Sequence, residues 1–196
     1  MVELHQQELK KQLWNIANTL RGNMSADDFR DYILGLIFYK YLSDKLNRYA
    51  DHLLEQDGLH FADIDEASAD GQETLDDIKE ETLDKLGYFF KPSELFHVLA
   101  ERGENGQFIL SDLTNVLNHI EQSTMGADSA DDFNGLFDEL DLTSNKLGKT
   151  PDSRNKLIAQ VLAHLDNIDF HLEHTEIDIL GDAYEYLIGM FASGAG

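Results

Sequence analysis

The sequence predicts an all-α protein, a multi-helix bundle of about eight helices. Apolar residues recur at helical spacing along most of the 196 residues, there are only two prolines, and no segment has the alternation of a convincing strand. Hydrophobic residues make up 42% of the chain and charged residues 27%, so a core of ordinary size can form. Cysteine is absent, which excludes a disulfide scaffold, a thiolate zinc site and a cysteine nucleophile.

The N-terminal part predicts two helices, and the second should lie at the centre of the bundle. A first helix is expected over about Val2–Leu20. Ser25 is the expected cap of a second helix that continues to about Gln56. Within it, Tyr32–Leu42 is apolar on nearly every face, which is typical of a helix buried on all sides.

The rest of the chain alternates loops with amphipathic helices. The acidic segment Asp57–Gly71 is predicted to be a loop, and the pentapeptide that begins at Ser25 recurs at Ser129, which indicates the same capping chemistry. A Gly-rich end follows the last helix and indicates a boundary within a longer protein. We therefore predict a helical domain over 1–168 and, over 169–196, a connector with the first helix of a further domain. The downstream helices are expected at Gln72–Leu86, Pro92–Arg102, Leu110–Gln122, Ser153–Leu165 and Ile177–Ala192.

The charge of the chain is strongly negative and unevenly distributed. There are 38 acidic and 15 basic residues, a net charge of −23. Residues 1–56 hold seven basic against eight acidic residues, a balance of −1, so the remaining 140 carry −22. A free-standing nucleic-acid binder needs a basic surface, because phosphate neutralisation supplies most of its affinity. Any work on DNA must therefore use a small local patch, with partners supplying the rest of the positive charge.

Several enzyme chemistries find no support in the sequence. It contains neither the full phosphate-loop pattern Gly-x-x-x-x-Gly-Lys-Ser/Thr nor His-Glu-x-x-His. His171 and His174 would share a helix face, but no third metal ligand is in register. Glu66–Asp77 imitates a calcium loop imperfectly, because Glu66 stands where Asp is expected, and a flexible acidic loop is the better interpretation. No catalytic, cofactor-binding or metal residue is therefore assigned.

One positive cluster lies in the acidic part of the chain. Lys146, Lys149, Arg154 and Lys156, with Asp152 among them, give a net charge of +3 within eleven residues. A loop followed by a helix start combines cations with free backbone N–H groups, which suits phosphate. Pairing with neighbouring acids is an equally weighted alternative. In a second group, Lys40, Lys45 and Arg48, ion pairing with Asp44 along the helix is favoured.

Several blocks of this sequence resemble the modification (methyltransferase) subunit of type I restriction–modification systems. The resemblance covers nearly the whole chain. It is carried by Leu20–Met24, Phe29–Asp44, Leu142–Gly148, Arg154-Asn155, Asp178–Ile188 and Phe191–Gly194.

The resemblance implies an N-terminal helical domain that precedes a Rossmann-like catalytic domain. That domain would transfer a methyl group from S-adenosylmethionine to adenine N6 in DNA. The family's Asn-Pro-Pro-Tyr/Phe motif needs adjacent prolines, whereas Pro92 and Pro151 are 59 positions apart. No catalytic residue carries over, so these 196 residues alone are expected to be inactive and to hold no cofactor.

The resemblance also implies partners: a specificity subunit, a second modification subunit, a restriction subunit and double-stranded DNA in the assembled complex. The domain would serve assembly and closure around DNA. The stripe Leu180, Tyr184, Leu187 and Phe191 is the expected face toward the catalytic domain. The chain lacks a signal peptide and an apolar run long enough to cross a bilayer, so a cytoplasmic protein without membrane contact is expected. The alternative is a stand-alone acidic helical protein that mimics DNA and blocks restriction.

Overall fold

The computed structural model confirms the all-α class and describes residues 7, 11–12, 14–19, 24–124, 135, 137–138 and 140–168. Within these residues there are six helical segments rather than eight, and no β-strand. Residues 14–19 form the first. The other five are α1 (Ala26–Leu54), α2 (Ala69–Lys85), α3 (Phe96–Glu104), α4 (Leu110–Ser123) and α5 (Pro151–Asp166). The helix expected at Ile177–Ala192 and the second cap at Ser129 lie outside the described residues.

Helix α1 is the centre of the bundle, as the apolar stretch predicts. The Ser25 hydroxyl accepts a hydrogen bond from the Asp28 backbone N–H and caps the helix. Ile33, Leu36 and Tyr39 are fully buried. The predicted all-round burial is incomplete, because Phe38 is 36% exposed and Tyr41 is half-buried. Helix α1 packs against α2, α3 and α5, while α3 and α5 form the most extensive helix pair.

Polar groups in the centre of the bundle fix how the chain crosses α1. The Tyr88 hydroxyl donates to the Leu42 carbonyl at 2.6 Å, and the Phe96 N–H donates to the Ser43 hydroxyl at 2.8 Å. The Tyr39 hydroxyl donates to the Glu94 carbonyl. Burial raises the pKa of both tyrosines. These bonds tie the segment 88–96 to the middle of α1.

The single tryptophan of the chain lies on the N-terminal helical segment. Trp14 is 38% exposed, whereas its near neighbours Ile16 and Ala17 are fully buried. The segment therefore packs on the bundle through one face and presents part of its tryptophan to solvent. Among the described helices, none is both long and apolar enough to cross a membrane.

The predicted acidic loop Asp57–Gly71 is shorter and better packed than expected. Helix α2 already begins at Ala69, because the Ser68 hydroxyl accepts from the Gly71 N–H and caps it. Phe61 lies in a 3-10 turn, is fully buried, and donates its N–H to the Asp51 carboxylate at 2.7 Å. The loop is thus anchored on the end of α1.

The predicted helix Pro92–Arg102 is divided in the structure. Pro92–Glu94 forms a 3-10 turn, Leu95 is extended, and α3 then runs to Glu104. Gly103, expected beyond the helix end, lies inside α3 and packs closely on α5: a methyl group there would lie 3.0 Å from the Ala159 Cβ. The left-handed residue is Gly106, with φ +81°.

Candidate nucleic-acid interface

The predicted positive cluster lies on the loop 141–150 and the start of α5. The Tyr32 hydroxyl donates to the Asp141 carbonyl at 2.6 Å, which joins the loop to the first turns of α1. Leu142 and Leu147 are buried and anchor the loop on the core. Thr150 caps α5 by accepting from the Ser153 N–H. The loop is thus held at both ends and in its middle.

Lys146 forms an ion pair with an acid of α1. Its Nζ lies 2.6 Å from the Asp28 Oδ1, and about half of the lysine side chain remains exposed. This contact lowers the pKa of Asp28, which also accepts a hydrogen bond from Ser25, and raises the pKa of Lys146. The acid-pairing alternative therefore holds for Lys146, although its partner is distant in the sequence.

Arg154 braces the loop from the first turn of α5. Its Nη1 donates to the Gly148 carbonyl at 3.1 Å and to the Asn145 side-chain oxygen at 3.4 Å. Its Nε is buried without a hydrogen-bond partner among the described residues. The pKa of Asp141 is lowered mainly by hydrogen bonds from Thr143, and the Arg154 charge contributes to this shift. Arg154 therefore holds the conformation of the loop, and its partly buried side chain extends little into solvent.

Lys149, near the end of the loop, and Lys156, in the second turn of α5, are both exposed. Lys156 stands at the rim of an open groove between α3 and α5, beside Asp152 and Glu104. Asn155 closes this groove from inside: its Oδ1 accepts from the Ile109 N–H at 2.8 Å, and its Nδ2 donates to the Gln107 carbonyl. The four predicted cations thus divide into two that hold the loop and two that face solvent.

The second basic group also divides. Lys40 is buried, lies 2.8 Å from the Asp44 carboxylate and sits 5.5 Å from the centre of the Phe96 ring, which confirms the predicted ion pair. Lys45 and Arg48 are exposed.

The two segments considered as metal sites either make other contacts or lie outside the described residues. The Glu66 carboxylate accepts from the Ser93 N–H and hydroxyl, both at 3.1 Å, and thereby ties the acidic loop to the turn at 92–94. In the described part of the chain, no group of three or more acids and histidines is placed to hold a metal. His171 and His174 lie outside the described residues, and so do Leu180, Tyr184, Leu187 and Phe191.

Sequence reasoning missed the partner of Lys146. Asp28 lies 118 positions earlier, and no local spacing connects the two residues. Only the tertiary contact between the loop 141–150 and the start of α1 brings them together. The residues that turn Arg154 inward, by contrast, are its own near neighbours.

Comparisons with known proteins identify the family. One relative is the type I restriction enzyme MpnII methylase subunit of Mycoplasma pneumoniae, 32% identical over 194 residues that cover 96% of this chain and 35% of the relative. A solved structure, the methyltransferase subunit of the type I restriction–modification system of Streptococcus thermophilus, is also similar. It matches with a TM-score of 0.74 and 35% identity over 96% of this chain and 39% of that chain.

The chain thus spans little more than a third of the length of these relatives. Both are subunits of methylating restriction systems, which agrees with the main interpretation and not with a DNA-mimicking antirestriction protein. Residues 9–165 match the family described as the HsdM N-terminal domain, and the chain belongs to that family.

Proposed function

We propose that this chain is the N-terminal helical domain of a type I DNA methyltransferase subunit and serves assembly and closure around DNA. The observation that carries the proposal is the family match over residues 9–165, joined to relatives that are methylase subunits and extend far beyond the matched region. The parent transfers a methyl group from S-adenosylmethionine to adenine N6. Its partners are a specificity subunit, a second modification subunit, a restriction subunit and double-stranded DNA.

Catalysis and cofactor binding lie in the domain that these 196 residues do not contain. The sequence holds no adjacent prolines for the methyltransferase motif and no Gly-rich cofactor loop. The helical domain alone is therefore inactive. The net charge of −23 supports a division of labour in which another subunit reads the bases and holds the duplex.

The domain's phosphate contacts come from the start of α5. Lys149 and Lys156 are exposed and make the direct contacts. Lys146 and Arg154 keep the loop in place, and Lys146 adds charge because about half of its side chain is exposed beside Asp28. A few such contacts matter only at the high local concentration that the assembled complex provides.

The test is a charge reversal in the complex of the full-length parent with its specificity subunit. Lys149→Glu with Lys156→Glu should weaken DNA binding about equally for target and non-target sequences. It should also reduce the salt slope by about one per lost phosphate contact. The matched control, Lys79→Glu with Lys85→Glu on α2, makes the same change of charge at exposed positions.

Three results would contradict these proposals. A wild-type complex that methylates no adenine would contradict the proposed activity. Unchanged affinity and salt slope in the double variant would contradict the phosphate contacts. A calorimetric titration in which this chain alone binds S-adenosylmethionine one-to-one, with micromolar affinity, would contradict the placement of the cofactor site.

A further inference from the structure

The ion pair between Lys146 and Asp28 lies at the edge of the proposed DNA surface and is open to solvent. The lysine Nζ lies 2.6 Å from the Asp28 Oδ1. About half of the lysine side chain and a quarter of the aspartate side chain are exposed. Water and salt screen such a pair, so it is held weakly. A stronger source of negative charge can therefore take the lysine from its partner.

Asp28 keeps other stabilising contacts when the lysine leaves. Its second carboxylate oxygen, Oδ2, accepts a hydrogen bond from the Ser25 hydroxyl at 2.7 Å. The carboxylate also lies in the first turn of α1, where the helix dipole favours a negative charge. Water can reach Oδ1, because the side chain is only partly buried. Opening the ion pair thus leaves no buried carboxylate oxygen without a partner.

The loop that carries Lys146 has anchors besides the ion pair. The side chains of Leu142 and Leu147 are buried in the core. The Lys146 backbone N–H donates to the Ser144 hydroxyl at 3.2 Å, which fixes the backbone at the lysine itself. A change of partner therefore requires a rotation of the lysine side chain and no movement of the loop.

A DNA strand bound at Lys149 brings phosphates close to Lys146. Two residues separate the two lysines, so their Cα atoms are at most about 11 Å apart. Along each strand of a duplex, one phosphate follows another about every 3.4 Å of the helix axis. Several phosphates therefore attract Lys146 against the single carboxylate of Asp28, and the DNA backbone is the stronger competitor.

We infer that Asp28 restrains Lys146 in the absence of DNA, and that a backbone phosphate replaces the carboxylate when the complex binds a duplex. Asp28 is thus an inhibitory residue, which lowers the affinity of the domain for DNA that no other subunit holds. The inference rests on the proposed function, because the exchange takes place at the same phosphate-binding surface. It adds a direct contact from Lys146 to those of Lys149 and Lys156.

The test is a double-mutant cycle on duplex binding by the complex of the full-length parent with its specificity subunit. Asp28→Asn should tighten binding about threefold to tenfold, since the lysine no longer has to leave a carboxylate. The salt slope should not change, because the number of phosphate contacts is the same. Lys146→Gln should weaken binding and reduce the salt slope by about one. When Lys146→Gln is already present, Asp28→Asn should change the affinity less than about twofold.

Asp76→Asn on α2 is the matched control. It removes the same charge at an exposed position and should change the affinity less than about twofold. Asparagine at position 28 can still accept the Ser25 hydroxyl, and thermal melts of the complexes should show that both variants remain folded. Loss of folded protein cannot produce tighter binding, so the expected gain is not a consequence of destabilisation.

The outcomes separate this inference from the proposed function. A gain with Asp28→Asn that requires Lys146 supports the inference. Unchanged or weaker binding overturns it, and so does an equal gain with and without Lys146. If Asp28→Asn has no effect while Lys149→Glu with Lys156→Glu weakens binding, the inference fails and the proposed phosphate contacts stand. If Asp28→Asn shows the expected gain while the double reversal has no effect, the exchange stands and the contacts of Lys149 and Lys156 are wrong.

Discussion

Helices α1 and α2 use their polar residues in opposite ways. In α1, Asp28, Asp44 and Asp51 each have a specific contact: with Lys146, with Lys40 and with the Phe61 N–H. Helix α2 carries seven acids that are all exposed, above an apolar stripe centred on Leu75 and Ile78. The seven are Asp70, Glu73, Asp76, Asp77, Glu80, Glu81 and Asp84.

The comparison shows that the total charge of the chain says little about its contacts. The acids of α2 supply a solvated face, which favours solubility and contributes little to stability. In α1, by contrast, Asp28 positions the loop 141–150 and Asp51 positions the turn at Phe61. The contacts of each charged residue, and not the net charge of its helix, therefore indicate where the functional surface lies.

The largest expected effect tests the central position of α1. Ile33→Ala or Leu36→Ala should lower the free energy of unfolding by roughly 2–5 kcal/mol, because each removes a fully buried side chain. Leu75→Ala in α2 should fall at the lower end of that range, since Leu75 is at the edge of the core with 8% of it exposed. Urea melts measure all three. A loss below about 0.5 kcal/mol at Ile33 or Leu36 would show that α1 is not the centre of the bundle.

Two glycine substitutions, one in α1 and one in α2, test the packing of the two helices and have an expected effect of intermediate size. A methyl group at Gly71 of α2 would lie 1.9 Å from the Asp65 carbonyl oxygen, so Gly71→Ala should destabilise by about 1–3 kcal/mol. At Gly35 of α1 the nearest atom is a Leu140 methyl at 3.4 Å, an ordinary contact. Gly35→Ala should therefore be neutral or gain up to about 1 kcal/mol from helix propensity. Thermal melts that rank the two variants in the reverse order would refute this packing.

The smallest effect concerns pH. The pKa of Asp28 is lowered in the folded state, mainly by the hydrogen bond from Lys146, so this pair stabilises the fold above the unfolded pKa of Asp28. That contribution is lost as pH falls through the lowered value. Asp28→Asn should therefore flatten the rise of stability with pH in the acid range.

Asp76→Asn on α2 is the control for this change. It removes the same charge at an exposed position for which the described residues provide no ion pair. Urea midpoints between pH 2 and pH 7 measure both variants. Identical profiles for the two variants would show that the contact of Lys146 with Asp28 does not hold the loop in solution.

The sequence could predict what depends on neighbouring residues. The Ser25 cap and the Lys40–Asp44 pair follow from spacings of four or less, and the structure contains both. The apolar character of Tyr32–Leu42 predicts a buried stretch, and most of its described side chains are buried, whereas Phe38 and Tyr41 are not. The all-α class follows from the same periodicity.

The rest depends on contacts between distant segments. Gly103 is the helix end that the sequence predicts, and only the structure shows that Gly103 lies inside α3, where it packs on α5. Lys146 and Arg154 are side chains of the kind that bind phosphate. In the structure, however, Lys146 pairs with Asp28, and Arg154 donates to the Gly148 carbonyl and the Asn145 side-chain oxygen. Tertiary packing decides which member of a charged cluster remains available to a ligand.

The single tryptophan makes the N-terminal segment separately observable. Trp14 is partly exposed and belongs to a helical segment held by Ile16 and Ala17, whereas most helical residues belong to α1–α5. The emission of Trp14 during denaturation therefore follows the detachment of one segment, while far-ultraviolet circular dichroism follows the melting of the whole bundle. Coincident transitions of the two signals would mean that this segment is part of one cooperative unit. An earlier fluorescence transition would mean that the bundle can release its first segment and remain folded.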